Sequence, residues 1–236
     1  MLAVMVVLTG FLLWPEMDLV VSGWFYTPGK GFDLATHPLF LGMHWVAYYG
    51  ARTLGLGLAV LLLLTTLRHR PVWHVQAKGW LFLFLALMIG PVLIANVVLK
   101  DHWGRARPRE VTEFGGSAHF SSAWIPQQTP HKNDSFVAGD PAFAFYLTSF
   151  AYVVPRPKKR DKPHLSRRFF WMGMGVGALF GVARIVMGAH FLSDVLFAAF
   201  FMLTATAGIH AAMFGRKQTA IAWHHWLFGF GKKEVM

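Results

Sequence analysis

The sequence predicts an all-α, polytopic membrane protein with six transmembrane helices, on three observations. Only 14% of its 236 residues are charged, while 55% are hydrophobic and 16% aromatic. An ordinary soluble domain carries about 25% charged residues, so this chain has too few to cover a surface in water. Five stretches approach the roughly 20 apolar residues a bilayer-spanning helix needs, and a sixth is shorter. Finally, the net charge of +11 is concentrated in alternate loops.

The elements follow in order. Met1–Trp14 stops at Pro15-Glu16 and has no basic leader or small-residue cleavage site, so it is expected to be a first membrane helix rather than a signal peptide. Pro15–Phe40 is a loop of net charge −2 whose Trp24-Phe25-Tyr26 suits an interface belt. Ala47–Leu67 is the second helix. Arg52, little more than one turn inside it, is expected either to snorkel outward or to pair with an acid of a site. Arg68–Lys78 is basic, and Trp80–Leu99 is the third helix. Residues 100–134 form the longest outer loop, long enough to cover a site. Phe136–Val154, Phe169–Met187 and Phe191–Phe214 complete the six, with the basic segment Pro155–Arg168 after the fourth. Two units result: a transmembrane domain at 1–214 and a basic, aromatic interfacial tail at 215–236.

The three basic segments sum to +12 and fall on one side, against −2 and zero for the two opposite loops. The positive-inside rule makes the basic side cytoplasmic, with both termini there. The charge excess is thereby explained without a nucleic-acid partner. Cysteine is absent, which excludes disulfides, thiolate nucleophiles and cysteine metal sites. The adjacent His224 and His225 point about 100° apart on a helix, a poor geometry for a shared metal.

Polar residues gather at the outer ends of the last four helices. Lys100 and Arg107-Pro108 follow helix three, Gly139-Asp140 opens helix four, Arg184 ends helix five, and His190 and Asp194 open helix six. His190 and Asp194 are spaced to share one helix face. The aspartate is expected to fix the imidazole tautomer and leave the other ring nitrogen basic, the logic of an oriented nucleophile. Lys100, Arg107 and Arg184 suit phosphoryl oxygens, since guanidinium forks match phosphate and transfer of the group depends on electrostatic stabilisation. Arg105 and Arg109 are expected to form a solvated run.

The pattern Lys100-x6-Arg107-Pro108, a Gly-containing helix start, then Arg184-x5-His190-x3-Asp194 resembles the type 2 phosphatidic acid phosphatase superfamily. This group of lipid phosphate phosphatases is related to bacterial acid phosphatases and vanadium haloperoxidases. The resemblance implies a haloperoxidase-like helical bundle covering roughly residues 80–210. It also implies that His190 forms a phosphohistidine, that Asp194 orients His190, and that Lys100, Arg107 and Arg184 hold the phosphoryl oxygens. No metal or cofactor is implied. The middle motif departs from the family's Pro-Ser-Gly-His: Val137-Ala138-Gly139-Asp140 retains only the glycine. Ala138 replaces a serine that would bond phosphate, and Asp140 replaces the histidine that would protonate the leaving group.

Asp140 among these cations is expected to be mostly ionised and a poor acid. The proton then comes from another residue, such as His119 or His131, or the leaving group needs little protonation, as with a diphosphate or an anomeric sugar phosphate. The expected function is a lipid phosphate phosphatase of the bacterial inner membrane, acting at the periplasmic face on a phosphate monoester or diphosphate. Candidate substrates are a lipid-linked diphosphate, phosphatidylglycerol phosphate, phosphatidate and lipid A 1-phosphate. The alternatives are a phosphotransferase using the same residues and a catalytically silent phospholipid-binding or transport protein.

Overall fold

The computed structural model of the protein describes residues 2–127, 134–154 and 165–228. His131, most of the basic segment after helix four, and the end of the tail lie outside them. The described residues are mostly helical. α1 (Leu2–Leu13) and α2 (Met17–Gly23) flank the Pro15 break. A small antiparallel hairpin pairs β1 (Tyr26–Thr27) with β2 (Gly31–Phe32), an exception to the all-α expectation. Then come α3 (Pro38–Arg68), α4 (Ala77–Leu87), α5 (Gly139–Tyr146), α6 (Phe150–Val153), α7 (Leu165–Val186), α8 (Leu192–Phe214) and α9 (Arg216–Phe228).

Four helices are long and apolar enough to cross a membrane: Pro38–Arg68, Ala77–Leu99, Leu165–Val186 and Leu192–Phe214. The two other expected spans are shorter. α1 has 12 residues. The fourth span is broken: α5 starts only at Gly139, and a 3-10 turn, Leu147–Ser149, separates it from α6. Its start is delayed because Asp134 N and Ser135 N bond the carbonyls of Lys100 and Arg105, which keeps these residues out of the helix. α3 starts earlier than its apolar run, at Pro38, where the His37 side chain accepts from Leu39 N.

α4 continues as a wider π-helical stretch, Met88–Leu99. Pro91 lies inside it and has no N–H to give, and Asn96 Nδ2 donates to the Pro91 carbonyl at 2.6 Å. This stretch delivers Lys100 to the site, with Lys100 N bonded to the Ala95 carbonyl.

α5 is the centre of the bundle, packed on α7, α8, α4's π-helical half and α3. Close approach is possible because α7 carries glycine at every fourth position, the small-residue spacing of membrane helix pairs. A Cβ at Gly177 would stand 2.2 Å from Phe145, and one at Gly181 would stand 2.4 Å from Val195. α3 sits outside this core and exposes Leu39, Val46, Leu56, Leu63 and Leu67, the apolar face a lipid solvent requires. The tail does not simply lie apart on a surface. α9 packs on α7 and α8, and Trp226 is buried, stacked on Phe170 at 4.8 Å. His224 and His225 part company there: His225 is buried, and His224 packs against Phe228.

Candidate active site

α7 ends at Val186, and the chain turns through Gly188 (φ +63°). Glycine is needed there on two counts: the backbone is left-handed, and a Cβ would stand 2.4 Å from the Phe32 ring. Ala189 N and His190 N both donate to the Arg184 carbonyl, at 3.0 and 3.3 Å. The turn therefore ties His190 to the residue expected to bind phosphate. Arg109 N donates to the Gly188 carbonyl at 3.1 Å, bringing the Lys100–Arg107 loop to the same place.

His190 is buried in this turn, one residue before the extended N-cap Phe191 of α8. The expected helix-face hydrogen bond with Asp194 is therefore loosened to an ion-pair distance. Asp194 Oδ2 stands 3.8 Å from His190 Nδ1. Nδ1 instead donates to the Ser135 carbonyl at 2.7 Å. The tautomer is still fixed, with the lone pair on Nε2, but a backbone carbonyl fixes it. Burial, reinforced by Arg184, Lys100 and Arg107, lowers the His190 pKa to about 3 and keeps the ring neutral and nucleophilic.

Asp194 acts one step further out. Its Oδ2 accepts from Ser135 Oγ at 2.6 Å and from Phe191 N at 2.9 Å, so it braces the residue whose carbonyl holds His190. Its Oδ1 accepts from Arg105 Nη1. Arg105 is the main correction to the sequence reading. It is not part of a solvated run but wholly buried, while Arg109 is exposed. Its Nη2 donates to Asp18 Oδ2 at 2.8 Å, its Nε to the Ser121 carbonyl at 3.0 Å, and its guanidinium lies 4.4 Å from the Phe191 ring. Asp18 also accepts from Ser193 N at 2.9 Å. Asp18, Arg105 and Asp194 thus form one buried ionic chain from α2 to α8. Asp18 went unread in the sequence, though an acid set in the apolar run Met17–Val21 is a signal of function in a membrane protein.

The remaining expected residues converge on the same place. A Cβ at Gly139 would meet Lys100 Nζ at 3.4 Å and Asn96 Oδ1 at 3.0 Å, so glycine is what lets the ammonium lie over the start of α5. Burial and the nearby Arg107 lower the Lys100 pKa to about 8. Arg107 is buried beside Glu110, at 3.9 Å. Arg184 Nε is buried with no hydrogen-bond partner and lies 3.4 Å from Asp140 Oδ2. Ala138 is the buried N-cap of α5 and supplies no capping side chain.

Asp140 has a partner that the sequence did not reveal. His44 Nδ1 lies 2.8 Å from its Oδ2. His119 is exposed in the loop. That loop does pack over the site, with Phe120 against Phe191 and Trp124 against Phe197. Among the described residues Arg52 pairs with no acid: it donates to the Tyr48 carbonyl at 2.6 Å and lies over the Tyr48 ring. A cavity of about 880 Å³ opens beside α3, lined by His44, Arg52, Asn96, Lys100, Gly139 and Asp140 among others.

Comparison with known proteins adds to this geometry. Residues 79–218 match the PAP2 superfamily. A lipid A 4'-phosphatase of Francisella tularensis subsp. novicida (strain U112) is 31% identical over 209 residues, covering 88% of this chain and 91% of the relative. Lipid A 4'-phosphatases of Rhizobium leguminosarum and Rhizobium etli are each 39% identical over 112 residues, covering 47% of this chain and 44% and 40% of the relatives. The chain thus spans less than half the length of the two Rhizobium proteins. No solved structure matches it. With the motif residues gathered at one site and the match extending over most of its length, this chain belongs to the PAP2 superfamily and is a membrane-embedded phosphoric ester hydrolase of that type.

Proposed function

We propose that this protein removes the 4'-phosphate of a lipid A-type glycolipid at the periplasmic face of the bacterial inner membrane, through a phosphohistidine at His190. The substrate is suggested by the three relatives, all lipid A 4'-phosphatases. The observation that carries the mechanism is the neutral, buried His190, with Nδ1–H held by the Ser135 carbonyl, beside Lys100, Arg107 and Arg184.

His190 Nε2 attacks phosphorus in line with the sugar oxygen. Lys100, Arg107 and Arg184 take the equatorial oxygens, where negative charge spreads in the transition state. The start of α5 adds backbone N–H groups through Gly139. Arg184 Nε, buried without a hydrogen-bond partner, gains one when phosphate binds. Asp194, Asp18 and Arg105 keep Ser135 and the His190 turn in place. Water then hydrolyses the phosphohistidine. A 4'-phosphate is an ordinary alkyl ester and not an anomeric one, so this substrate needs a proton donor for its leaving group.

Six spans with both termini cytoplasmic remain the topology we propose. α1, at about 1.5 Å per residue, covers some 18 Å and needs tilt or local thinning to cross. The α5–α6 segment is short but packs against α3, α4, α7 and α8, a setting in which broken helices are tolerated. The cavity beside α3 lets a lipid headgroup reach Lys100 from within the bilayer. The test is release of inorganic phosphate from purified lipid A by detergent-solubilised protein, with the product's phosphate position mapped by mass spectrometry. Loss of the 4'-phosphate by wild type and not by His190→Ala is expected. Removal of the 1-phosphate alone, or transfer to another lipid without free phosphate, contradicts the proposal.

A further inference from the structure

The site as described has a nucleophile and an anion cradle but no acid for the leaving alkoxide. Asp140 stands where the family places that acid. It lies against Arg184 and His44, an environment that favours the carboxylate, which has no proton to give. His119 is exposed in the outer loop, and His131 lies outside the described residues.

We infer that His44, on α3 and outside the segment matched to the family, is the acid that protonates the leaving group, and that Asp140 is its positioning residue. His44 Nδ1 donates to Asp140 Oδ2 at 2.8 Å. Nε2 is thereby the nitrogen left for the substrate. The side chain is one third exposed and lines the cavity that also exposes Lys100, Gly139 and Asp140, so it meets a phosphate ester bound there. Asp140 lies within Coulombic reach of both His44 and His190, so the donor and the nucleophile share one carboxylate's neighbourhood. The pair replaces one family histidine by two residues 96 positions apart.

The proton and electron balance closes. In the first step the His190 Nε2 lone pair forms the N–P bond. The P–O bond breaks with its electron pair on the sugar oxygen, which takes the proton from His44 Nε2, and the alcohol leaves. In the second step water attacks phosphorus and gives a proton to the now neutral His44 Nε2. The N–P bond breaks with its pair returning to His190, and phosphate leaves.

This inference rests on the proposed phosphatase function, and the test separates the two. Lipid A, with an alkoxide leaving group, is compared with 4-nitrophenyl phosphate, whose leaving group needs no proton. For His44→Gln, phosphate release from lipid A is expected to fall by about 10²–10⁴-fold, the usual contribution of general acid catalysis. The first-turnover burst of 4-nitrophenolate from the aryl ester, which precedes the water step, should change less than about tenfold. Asp140→Asn should show the same selective loss in weaker form, with Asp140→Glu recovering part of it. Added imidazole should partly restore lipid A turnover to His44→Ala, a readout that a structural role would not produce. Equal losses on both substrates, or no loss on lipid A, would overturn the inference while leaving the phosphatase standing. No release from lipid A by wild type overturns the proposed function and this inference with it.

Discussion

Lys100 is held where it weakens the fold. Its ammonium is partly buried near Arg107 and Arg184, and its pKa falls to about 8 from the ordinary 10.5. A lysine whose folded pKa is lowered is a penalty while it stays charged, and that penalty is relieved as pH rises from about 8 towards the unfolded value. Lys100→Met is therefore expected to raise stability at pH 7 by on the order of 1 kcal/mol after allowance for solvent screening, read as a higher thermal midpoint, while removing most activity. Wild-type activity should decline above about pH 8 as Lys100 loses its charge, measured as kcat/KM on lipid A. Arg105 behaves oppositely. It neutralises two buried carboxylates, so Arg105→Met should cost about 3–5 kcal/mol by stranding Asp18 and Asp194, read as a large drop in the unfolding midpoint. Ala138 offers the reverse change. It caps α5 with no side-chain bond, so Ala138→Ser should add about 0.5–2 kcal/mol of helix capping, or bind phosphate more tightly, seen as a lower KM. Lys100, Arg107, Arg184 and His190 were legible in the sequence because each sits in a contiguous motif. Asp18 and His44 were not, because their partners are 87 and 96 residues away. The His190–Asp194 spacing suggested a direct hydrogen bond, but the helix begins only at Leu192 and the pair stands at 3.8 Å.

At the scale of elements, the long apolar helices were legible from composition, and their packing was not. α5 and the turn after it reach α7 because Gly177 and Gly173 leave room for Phe145 and Thr148, and α8 does so because Gly181 leaves room for Val195. Gly177→Leu should therefore destabilise the bundle by about 1–3 kcal/mol through overpacking. Gly175→Ala, with nothing within 4 Å, should be nearly neutral. Thermal unfolding in one detergent compares the two, and equal midpoints would remove the packing argument. The break in the fourth span was hidden for a related reason. Its apolar run starts at Phe136, but hydrogen bonds from the Lys100–Arg105 loop keep residues 134–135 out of the helix. Those contacts come from another part of the chain, beyond the reach of local periodicity.

For the whole molecule, the proposed orientation rests on charge distribution, and the absence of cysteine makes it easy to check. Glu113→Cys, in the exposed outer loop, should react with a membrane-impermeant maleimide on intact spheroplasts. Lys217→Cys should react only after lysis, and the opposite pattern would invert the topology. The central claim is that a buried histidine carries the phosphoryl group. Its most direct test incubates the intact protein with lipid A bearing 32P at the 4' position, stops the reaction in alkali within the first turnover, and maps the label by peptide. The account predicts alkali-stable, acid-labile label on the peptide containing His190, absent from His190→Ala. Full phosphate release by His190→Ala, or turnover with no label at that peptide, would contradict it.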